Sequence, residues 1–311
     1  MKRRDFLRNI GIAGAATLFP AYGLHAISRI SSVENTAAAP DLIALMGGDP
    51  TSMLTKAINE AGGIDKFVKR GNKVVIKPNI GWDKTPEMGA NTNPVLIGTL
   101  VAMCIGAGAK EVLVFDHTCD NWKSSYTNSG IEEAVRKAGG KMIPGNDEEM
   151  YREVELPDAV VLKKTKIHQA ILDCDVWFNV PVLKNHGGPK MTVAMKNLMG
   201  IVWDRRFFHA NNLHQCIADI ATLQKKPVLN IVDAYRTMKS NGPQGKSLSD
   251  VVETKALFIS KDMVAVDTAA IKFFNQIREM NLIDVQYLSM AQRQHVGTMD
   301  LSSLNVKRIK L

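Results

Sequence analysis

The order of apolar and polar positions predicts alternating strands and helices from about residue 42 onward. Short, wholly apolar runs such as residues 176–180 are typical of strands that are buried on both faces. Longer stretches in which apolar residues recur every three or four positions, such as residues 263–274, predict amphipathic helices. We therefore expect strands at 42–46, 74–76, 111–115, 176–180, 228–232, 256–259 and 304–306, and helices at 51–61, 94–105, 130–138, 189–199, 213–223, 263–274 and 285–292.

Strands that alternate with helices along a chain are typical of a parallel sheet, because each crossover helix returns the chain to the same edge. The pattern therefore predicts an α/β fold with a largely parallel sheet and helices on both faces, in three α/β/α layers. A single α/β domain is expected over residues 40–311, with a small insertion around residues 141–172. The length of 311 residues, with 45% hydrophobic and 23% charged residues, excludes a disordered tail and a multispan membrane protein.

The first 39 residues are typical of an export signal. Arg3 and Arg4 precede a modestly apolar run over residues 10–19, which Pro20 ends before it is long enough to cross a bilayer. Twin arginines in this position predict export by the twin-arginine machinery to the periplasm, with membrane contact only if the segment stays uncleaved. Residues 1–39 are therefore interpreted as a signal segment and linker, and the alternative is an ordinary N-terminal helix.

Part of the net charge of +8 belongs to that segment. Residues 1–39 hold five basic and two acidic side chains, which leaves a surplus of five positive charges for the rest of the chain. No basic run follows the segment and aromatic residues make up only 6% of the chain, so a nucleic-acid partner is not expected. The partner that we expect instead is a small anionic ligand.

Five predicted strands each end in a charged or metal-binding side chain. Because the carboxyl ends of parallel strands meet at one edge of a sheet, these side chains are expected to line a common cleft. For any single strand a polar loop would be explanation enough, since loops lie at the surface. The residues concerned are Lys77 and Asn79, Asp116 and His117, Lys184 and His186, Asp233, and Ser260 with Lys261 and Asp262.

A second feature of this edge predicts an anion site. Gly187 and Gly188 precede the predicted helix at 189–199, whose free amides and dipole would attract a negative group. Lys196 and Asn197 lie on that same predicted helix and would face the ligand. The alternative is that these lysines are solvated surface charges.

Metal binding is a further hypothesis for the same edge. His186, His209 and Asp233 could hold a divalent metal, although no H-x-x-H or H-E-x-x-H pattern is present. The four cysteines contain no C-x-x-C pair, so an iron–sulfur cluster is not predicted. The spacing leaves a disulfide open, and any other cofactor is unknown.

Five segments, taken in order, resemble the family of domain of unknown function 362. They are VVIKPN at 74–79, AGAKEVLVFD at 107–116, NVPVLKNH at 179–186, TVAMKNLMG at 192–200 and AVD at 265–267. The resemblance runs from about residue 41 to the C-terminus. It implies an α/β fold and a shared site, and many relatives carry a ferredoxin-type segment whose cysteines this chain lacks. The residues shared with the family motifs are Lys77, Asn79, Asp116, Lys184, His186, Lys196, Asn197, Asp233 and Asp267.

These observations favour an exported enzyme with an anion-binding Lys/His/Asp cleft at the carboxyl edge of the sheet. Lys184 and Lys77 would hold the negative group, and burial could lower the pKa of Lys77 enough to make it a base or nucleophile. His186 would transfer protons, and Asp116 would orient it or hold a metal. The alternative is a non-catalytic cofactor-binding or redox-accessory protein. The expected binding residues are Asn79, Gly187, Gly188, Lys196 and Asn197.

Overall fold

Most of the strands and helices that the hydrophobic pattern predicts are present in the chain. A computed structural model describes residues 39–311, so that the predicted export signal lies outside the described residues except for its last position. The strands are β1 (Leu42–Met46), β2 (Lys73–Pro78), β3 (Glu111–Val114), β4 (Lys141–Met142), β5 (Tyr151–Glu155), β6 (Lys164–His168), β7 (Val176–Val180), β8 (Val182–His186), β9 (Lys190–Thr192), β10 (Leu229–Met238), β11 (Val251–Ser260) and β12 (Val306–Lys310). The helices are α1 (Pro50–Glu60), α2 (Pro94–Gly106), α3 (Trp122–Asn128), α4 (Ile131–Lys137), α5 (Gln169–Asp173), α6 (Ala194–Asn197), α7 (Arg205–Ala210), α8 (Leu213–Ile220), α9 (Met263–Phe274) and α10 (Tyr287–Arg293).

The main sheet has the strand order β12-β1-β11-β10-β7-β2-β3-β4, and the β8–β9 hairpin joins it beside β10. Strand β11 runs antiparallel to both of its neighbours, β1 and β10, while the remaining neighbours along this path pair in parallel. The predicted α/β fold with a largely parallel sheet is therefore confirmed. Because β11 is reversed, its carboxyl end with Ser260 lies at the opposite edge of the sheet from the ends of β2 and β3.

Two hydrophobic clusters cover the two faces of the sheet. Along β1, Ile43 and Leu45 pack into the cluster that contains residues of α1, α2 and α4, whereas Leu42 and Ala44 pack into the cluster with α8, α9 and α10. This alternation follows from the period of two in a strand, which sends successive side chains to opposite faces. The sheet is thus the middle of three layers, as predicted.

A single helix was predicted over residues 189–199, and this prediction is wrong. Residues 190–192 form the second strand of a hairpin, and a shorter helix begins at Ala194. In the hairpin Lys184 is paired with Thr192 and His186 with Lys190, on either side of the turn at Gly187 and Gly188. Pairing with β8 lets β9 bury Met191 in the core.

Helix α6 begins only at Ala194, where a carboxylate from another helix caps it. Asp267 of α9 accepts hydrogen bonds from the amides of Ala194 at 2.7 Å and Met195 at 3.1 Å. Since the first amides of a helix need acceptors, this contact fixes where α6 starts. Asp267 lies more than seventy positions further along the chain, so the sequence pattern around residue 190 could not predict this cap.

The region predicted as an insertion, residues 141–172, is only partly separate from the sheet. Strand β4 joins the main sheet beside β3, while β5 and β6 form a two-stranded antiparallel sheet of their own. Among the helices of the described residues, none combines the length and the apolar character that a membrane span requires.

Candidate functional site

A cavity of about 350 Å³ opens where the ends of β2, β3 and the β8–β9 hairpin meet. The parallel direction of β2 and β3 brings their carboxyl ends together, and the hairpin closes a third side. Its wall combines basic side chains, amides, aromatic rings and a thiol. The lining residues are Lys77, Asn79, Gly81, Trp82, Asp116, His117, Cys119, Lys184, His186, Thr192, Lys196, Asn197, Met199, Gly200, Arg205, Arg206, His209 and Pro243.

The floor of the cavity holds a buried ion pair. Lys77 Nζ lies 2.9 Å from Asp116 Oδ1, and the two side chains are 1% and 3% exposed. The other carboxylate oxygen of Asp116 accepts the amide of Ile80 at 2.6 Å. Burial lowers the pKa of the Lys77 ammonium, and the negative charge of Asp116 opposes that shift. A Cβ on Gly200 would lie 1.8 Å from Asp116 Oδ1, so only glycine leaves room for the pair.

Three asparagine side chains hold this pair in place. Asn197 Oδ1 accepts from Lys77 Nζ at 2.8 Å and from Asn79 Nδ2 at 2.9 Å. Asn197 Nδ2 in turn donates to Asn179 Oδ1 at 2.8 Å. Because these amides and the ammonium have donors matched to acceptors, the network orients Asn197 and fixes α6 against β2 and β7.

Lys184 enters the cavity from the hairpin without a carboxylate partner among the described residues. Its ammonium is nearly fully buried and donates to Asn79 Oδ1 at 2.9 Å and to the carbonyl oxygen of Ala90. Burial is the main reason that the pKa of Lys184 falls to about 7, and the positive charges of Lys196 and Lys77 add to the shift. Burial likewise lowers the pKa of Lys196 to about 8.

The same face of the hairpin presents two polar groups that have no hydrogen-bond partner among the described residues. Lys184 and Thr192 are cross-strand partners and His186 follows Lys184 by two positions, so all three side chains project to one side. The unpaired atoms are Thr192 Oγ1 and His186 Nδ1. Burial together with the charges of Lys196 and Lys184 lowers the pKa of His186 to about 2, which keeps its imidazole neutral.

Arg205 at the start of α7 forms the opposite wall. Its guanidinium donates to the carbonyl oxygens of His117 at 2.8 Å and Thr118 at 2.7 Å, and to Cys119 Sγ at 3.3 Å. The ring of His117 stacks on Trp203 with centroids 5.0 Å apart, and its Nδ1 lies 2.9 Å from the carbonyl oxygen of Val202. Burial and the charge of Arg205 lower the pKa of His117.

Most of the side chains predicted for the site lie in this cavity. Three of the five predicted strand ends contribute to it, through β2, β3 and the β7–β8 region. The predicted residues that line the cavity are Lys77, Asn79, Asp116, His117, Lys184, His186, Lys196, Asn197 and His209.

Gly187 and Gly188 do not line the cavity, and the helix that was predicted to follow them and to bind an anion at its N-terminus does not begin there. They form the turn between β8 and β9, so they precede a strand and offer no helix N-terminus. The free amides of a helix N-terminus, which were expected to bind the anion next to these glycines, are therefore not supplied there.

Asp233 is also misplaced by the prediction, because it lies within β10 and away from the cavity lining. Its carboxylate accepts the amides of Asn93 at 2.7 Å and Tyr235 at 2.9 Å, and burial raises its pKa to about 6. The predicted metal set of His186, His209 and Asp233 is thus not brought together. Within residues 39–311, no three His, Cys, Asp or Glu side chains converge on a common metal position.

Among the wall residues that the sequence analysis did not predict, Arg205 and Cys119 form a contact with each other. Arg205 lies in a polar segment that no strand end marks, and Cys119 lies beyond the strand-end pair at Asp116 and His117. Only the folding of α7 across the loop after β3 brings the guanidinium to the thiol. A basic residue next to an aromatic run is too common a pattern to have identified it.

Comparisons with known proteins give the family of the chain. A thylakoid-associated protein of Synechocystis sp. is 24% identical over 228 residues, which are 71% of this chain and 68% of that protein. The lactate racemase apoprotein from Thermoanaerobacterium thermosaccharolyticum matches with a TM-score of 0.48 and 12% identity, over 76% of this chain and 57% of that one. A Thermotoga maritima protein matches with a TM-score of 0.45 and 12% identity, over 74% and 59%. The chain thus spans less than two thirds of either solved chain.

The family match covers the strands and loops that build the cavity. The family described as "Domain of unknown function (DUF362)" matches residues 74–272, which run from β2 through most of α9. This range is more than half of the chain and includes Lys77, Asp116 and Lys184. The chain belongs to the family of domain of unknown function 362.

Proposed function

We propose that the protein is an enzyme that acts on a small anionic substrate bound in this cavity. One observation carries the proposal, namely the surplus of positive groups around the cavity. Within residues 39–311, Lys184, Lys196 and Arg205 face it with no carboxylate at ion-pair distance, while Asp116 is engaged by Lys77. Because a buried charge is costly unless it is paired, a bound carboxylate or phosphate would offset that cost.

The geometry supports a division of roles around that anion. Lys184 and Lys196 would bind the negative group with charge-assisted hydrogen bonds, and the Thr192 hydroxyl would add a neutral donor. The Lys77–Asp116 pair and the asparagines beneath it would hold the binding groups in position. These positions agree with the residues that sequence patterns assign to substrate binding, except for the glycines of the turn.

Proton transfer is better suited to Lys184 than to His186. A group whose pKa lies near the working pH is the most effective general acid or base, and the pKa of Lys184 is about 7. His186, with a pKa of about 2, would remain a neutral hydrogen-bond partner that orients the substrate. We therefore assign proton transfer to the amine of Lys184 and not to the imidazole of His186.

A redox-accessory role finds less support in the side chains of this chain. Cys104, Cys174 and Cys216 are buried at 5% exposure or less, and Cys119 is the one cysteine in the cavity wall. An iron–sulfur cluster needs several thiolates around a single position. The basic lining of the cavity therefore favours binding of an anion over a redox-accessory role.

Thermal unfolding with simple anions tests the proposal. At millimolar sulfate or oxalate we expect the midpoint of the wild type to rise, by about 5 °C or more once the anion reaches a hundred times its Kd. Lys184→Met and Lys196→Met should each weaken binding by about tenfold, since a hydrogen bond to a charged group contributes about 1.5–3 kcal/mol. Lys137→Met is the matched control, because that lysine is 68% exposed on α4. Equal shifts in all four proteins would refute the cavity as the binding site.

We also propose that residues 1–39 direct the protein through the twin-arginine machinery to the periplasm. The support is the Arg3–Arg4 pair ahead of a weakly apolar run. The test is a fusion of residues 1–39 to a reporter that is active only after export. Arg3→Lys together with Arg4→Lys should abolish export of the reporter, and a reporter exported equally well by the variant would contradict the proposal.

A further inference from the structure

The thiol of Cys119 differs from the other three cysteines in its surroundings. Cys104, Cys174 and Cys216 lie in the hydrophobic core, whereas Cys119 is exposed and lines the cavity. Its sulfur accepts a hydrogen bond from Arg205 Nη1 at 3.3 Å. A cysteine that is accessible and lies next to a guanidinium is the kind that reacts as a thiolate.

Backbone contacts fix both members of this pair. The guanidinium of Arg205 donates to the carbonyl oxygens of His117 and Thr118, the two residues before Cys119. The amide of Cys119 itself donates to the carbonyl oxygen of Gly81 at 2.8 Å. The approach of the guanidinium to the sulfur is therefore set by the path of the loop after β3.

Most of the charged side chains that line the cavity with Cys119 are basic. Among the described residues that line the cavity, only Asp116 and Cys119 have side chains that can become negative. Both oxygens of Asp116 are engaged, by Lys77 and by the amide of Ile80. Lys184, Lys196 and Arg205 line the cavity together with the thiol of Cys119.

A second group in the cavity independently points to a ligand. Thr192 is only 2% exposed and lines the cavity, yet its Oγ1 has no hydrogen-bond partner among the described residues. Buried hydroxyls are almost always paired in folded proteins, because an unpaired one costs free energy. A bound molecule with a polar group would satisfy Thr192 while its other end faces the thiol.

We propose that Cys119 is a nucleophile that covalently captures small carboxylates bearing a leaving group on the adjacent carbon. This inference rests on the proposed anion-binding function, since the lysines and Arg205 would hold the carboxylate. The thiol first gives its proton to water at the cavity mouth. A lone pair of the sulfur then forms the S–C bond, and the leaving group departs with the electron pair of the bond that breaks.

Alkylation by two reagents that differ in charge tests this proposal on the full-length protein. Iodoacetate carries a carboxylate and iodoacetamide does not, and iodide is the leaving group of both. The rate at Cys119 is followed by mass spectrometry of its peptide, and the buried cysteines serve as internal controls. The measured quantity is the ratio of the iodoacetate rate to the iodoacetamide rate, in the folded protein and in the same chain unfolded in urea.

We expect folding to raise this ratio by about tenfold or more, which corresponds to about 1.4 kcal/mol of attraction to the carboxylate. Arg205→Gln should lower the ratio, while Arg136→Gln, on the exposed side of α4, should not. Sulfate competition provides a second measurement on the wild type, which does not depend on the folding of Arg205→Gln. Sulfate should slow iodoacetate and leave iodoacetamide nearly unchanged.

Two results separate failure of this inference from failure of the proposed function. If sulfate stabilises the protein but folding leaves the reagent ratio unchanged, Cys119 is not the nucleophile and the anion site stands. If sulfate neither stabilises the protein nor slows iodoacetate, both proposals are refuted.

Discussion

The buried pair of Lys77 and Asp116 makes a quantitative prediction about stability. At 2.9 Å the attraction between the two charges is about 6 kcal/mol with an effective dielectric constant of 20. Desolvation of both ions consumes much of that attraction, because each side chain is at most 3% exposed. The pair as a whole therefore contributes little net stability, but the loss of one partner leaves the other charge buried and unpaired.

Each single substitution is expected to cost about 3–5 kcal/mol of unfolding free energy. In Asp116→Asn the side chain keeps only one acceptor oxygen, while Lys77 and the amide of Ile80 both donate to this position. Whichever way the amide turns, its NH₂ group meets a donor. Lys77→Met removes the ammonium and leaves the carboxylate with the Ile80 amide as its remaining partner.

The double variant decides whether the reasoning is right. Lys77→Met with Asp116→Asn removes both charges, so its loss of stability should be smaller than the sum of the single losses by about 2–3 kcal/mol. Urea unfolding of the four proteins, followed by tryptophan fluorescence, gives the free energies for the cycle. Additive losses within about 0.5 kcal/mol would show that the charges do not depend on each other, and would refute this account of the cavity floor.

Three further predictions concern neighbouring residues. The pKa of Lys184 is lowered from 10.5 to about 7, so the unfolded chain holds this proton at pH values where the folded chain has lost it. The resulting penalty is fully present below pH 7, and this lysine alone should raise the unfolding free energy by up to about 1.4 kcal/mol per pH unit from pH 7 to 10. Lys184→Met should reduce the slope by that amount and keep the contribution of Lys196, whose pKa is lowered to about 8; an equal slope in both proteins would contradict the assignment. Affinity for sulfate should fall over pH 7 to 9 as Lys184 and Lys196 lose their charge, which isothermal titration at fixed ionic strength can measure, and a pH-independent affinity would exclude both lysines as ligands. Gly200→Ala should lower the unfolding free energy by about 1–3 kcal/mol and weaken sulfate binding, because the new methyl group overlaps Asp116 Oδ1. Wild-type stability and binding in this variant would show that the backbone at Gly200 can shift.

Strand ends could be predicted from the sequence because they depend on local signals. An apolar run that stops at a charged residue fixes the position of Lys77 and of Asp116 with no knowledge of the fold. What such a run does not contain is the direction of the strand or its full length. Strand β11 is reversed and β10 continues to Met238, so that Ser260 lies at the other edge and Asp233 lies inside a strand.

The hairpin shows a second limit, where a distant contact overrides a local pattern. Residues 189–199 have a spacing that suits a helix, but pairing with β8 takes the first part of the segment. The cap from Asp267 then starts α6 at Ala194. As a result Thr192 and Lys184 lie on the same face of the hairpin. A helix over residues 189–199 would not place these two side chains together.

The segments that resemble the family account for the floor of the cavity but not for its mouth. Lys77, Asp116, Lys184 and Asn197 all lie within those segments, and together they form the ion pair and the hydrogen-bond network beneath the ligand space. Cys119 and Arg205 belong to none of them.

The last prediction separates binding at the floor of the cavity from reaction at Cys119. If the floor supplies the charge that binds an anion and Cys119 supplies the group that reacts with it, Cys119→Ser should abolish alkylation at position 119 and leave the floor able to bind sulfate. Weaker sulfate binding in Cys119→Ser would show instead that the thiol acts as a neutral ligand of the anion.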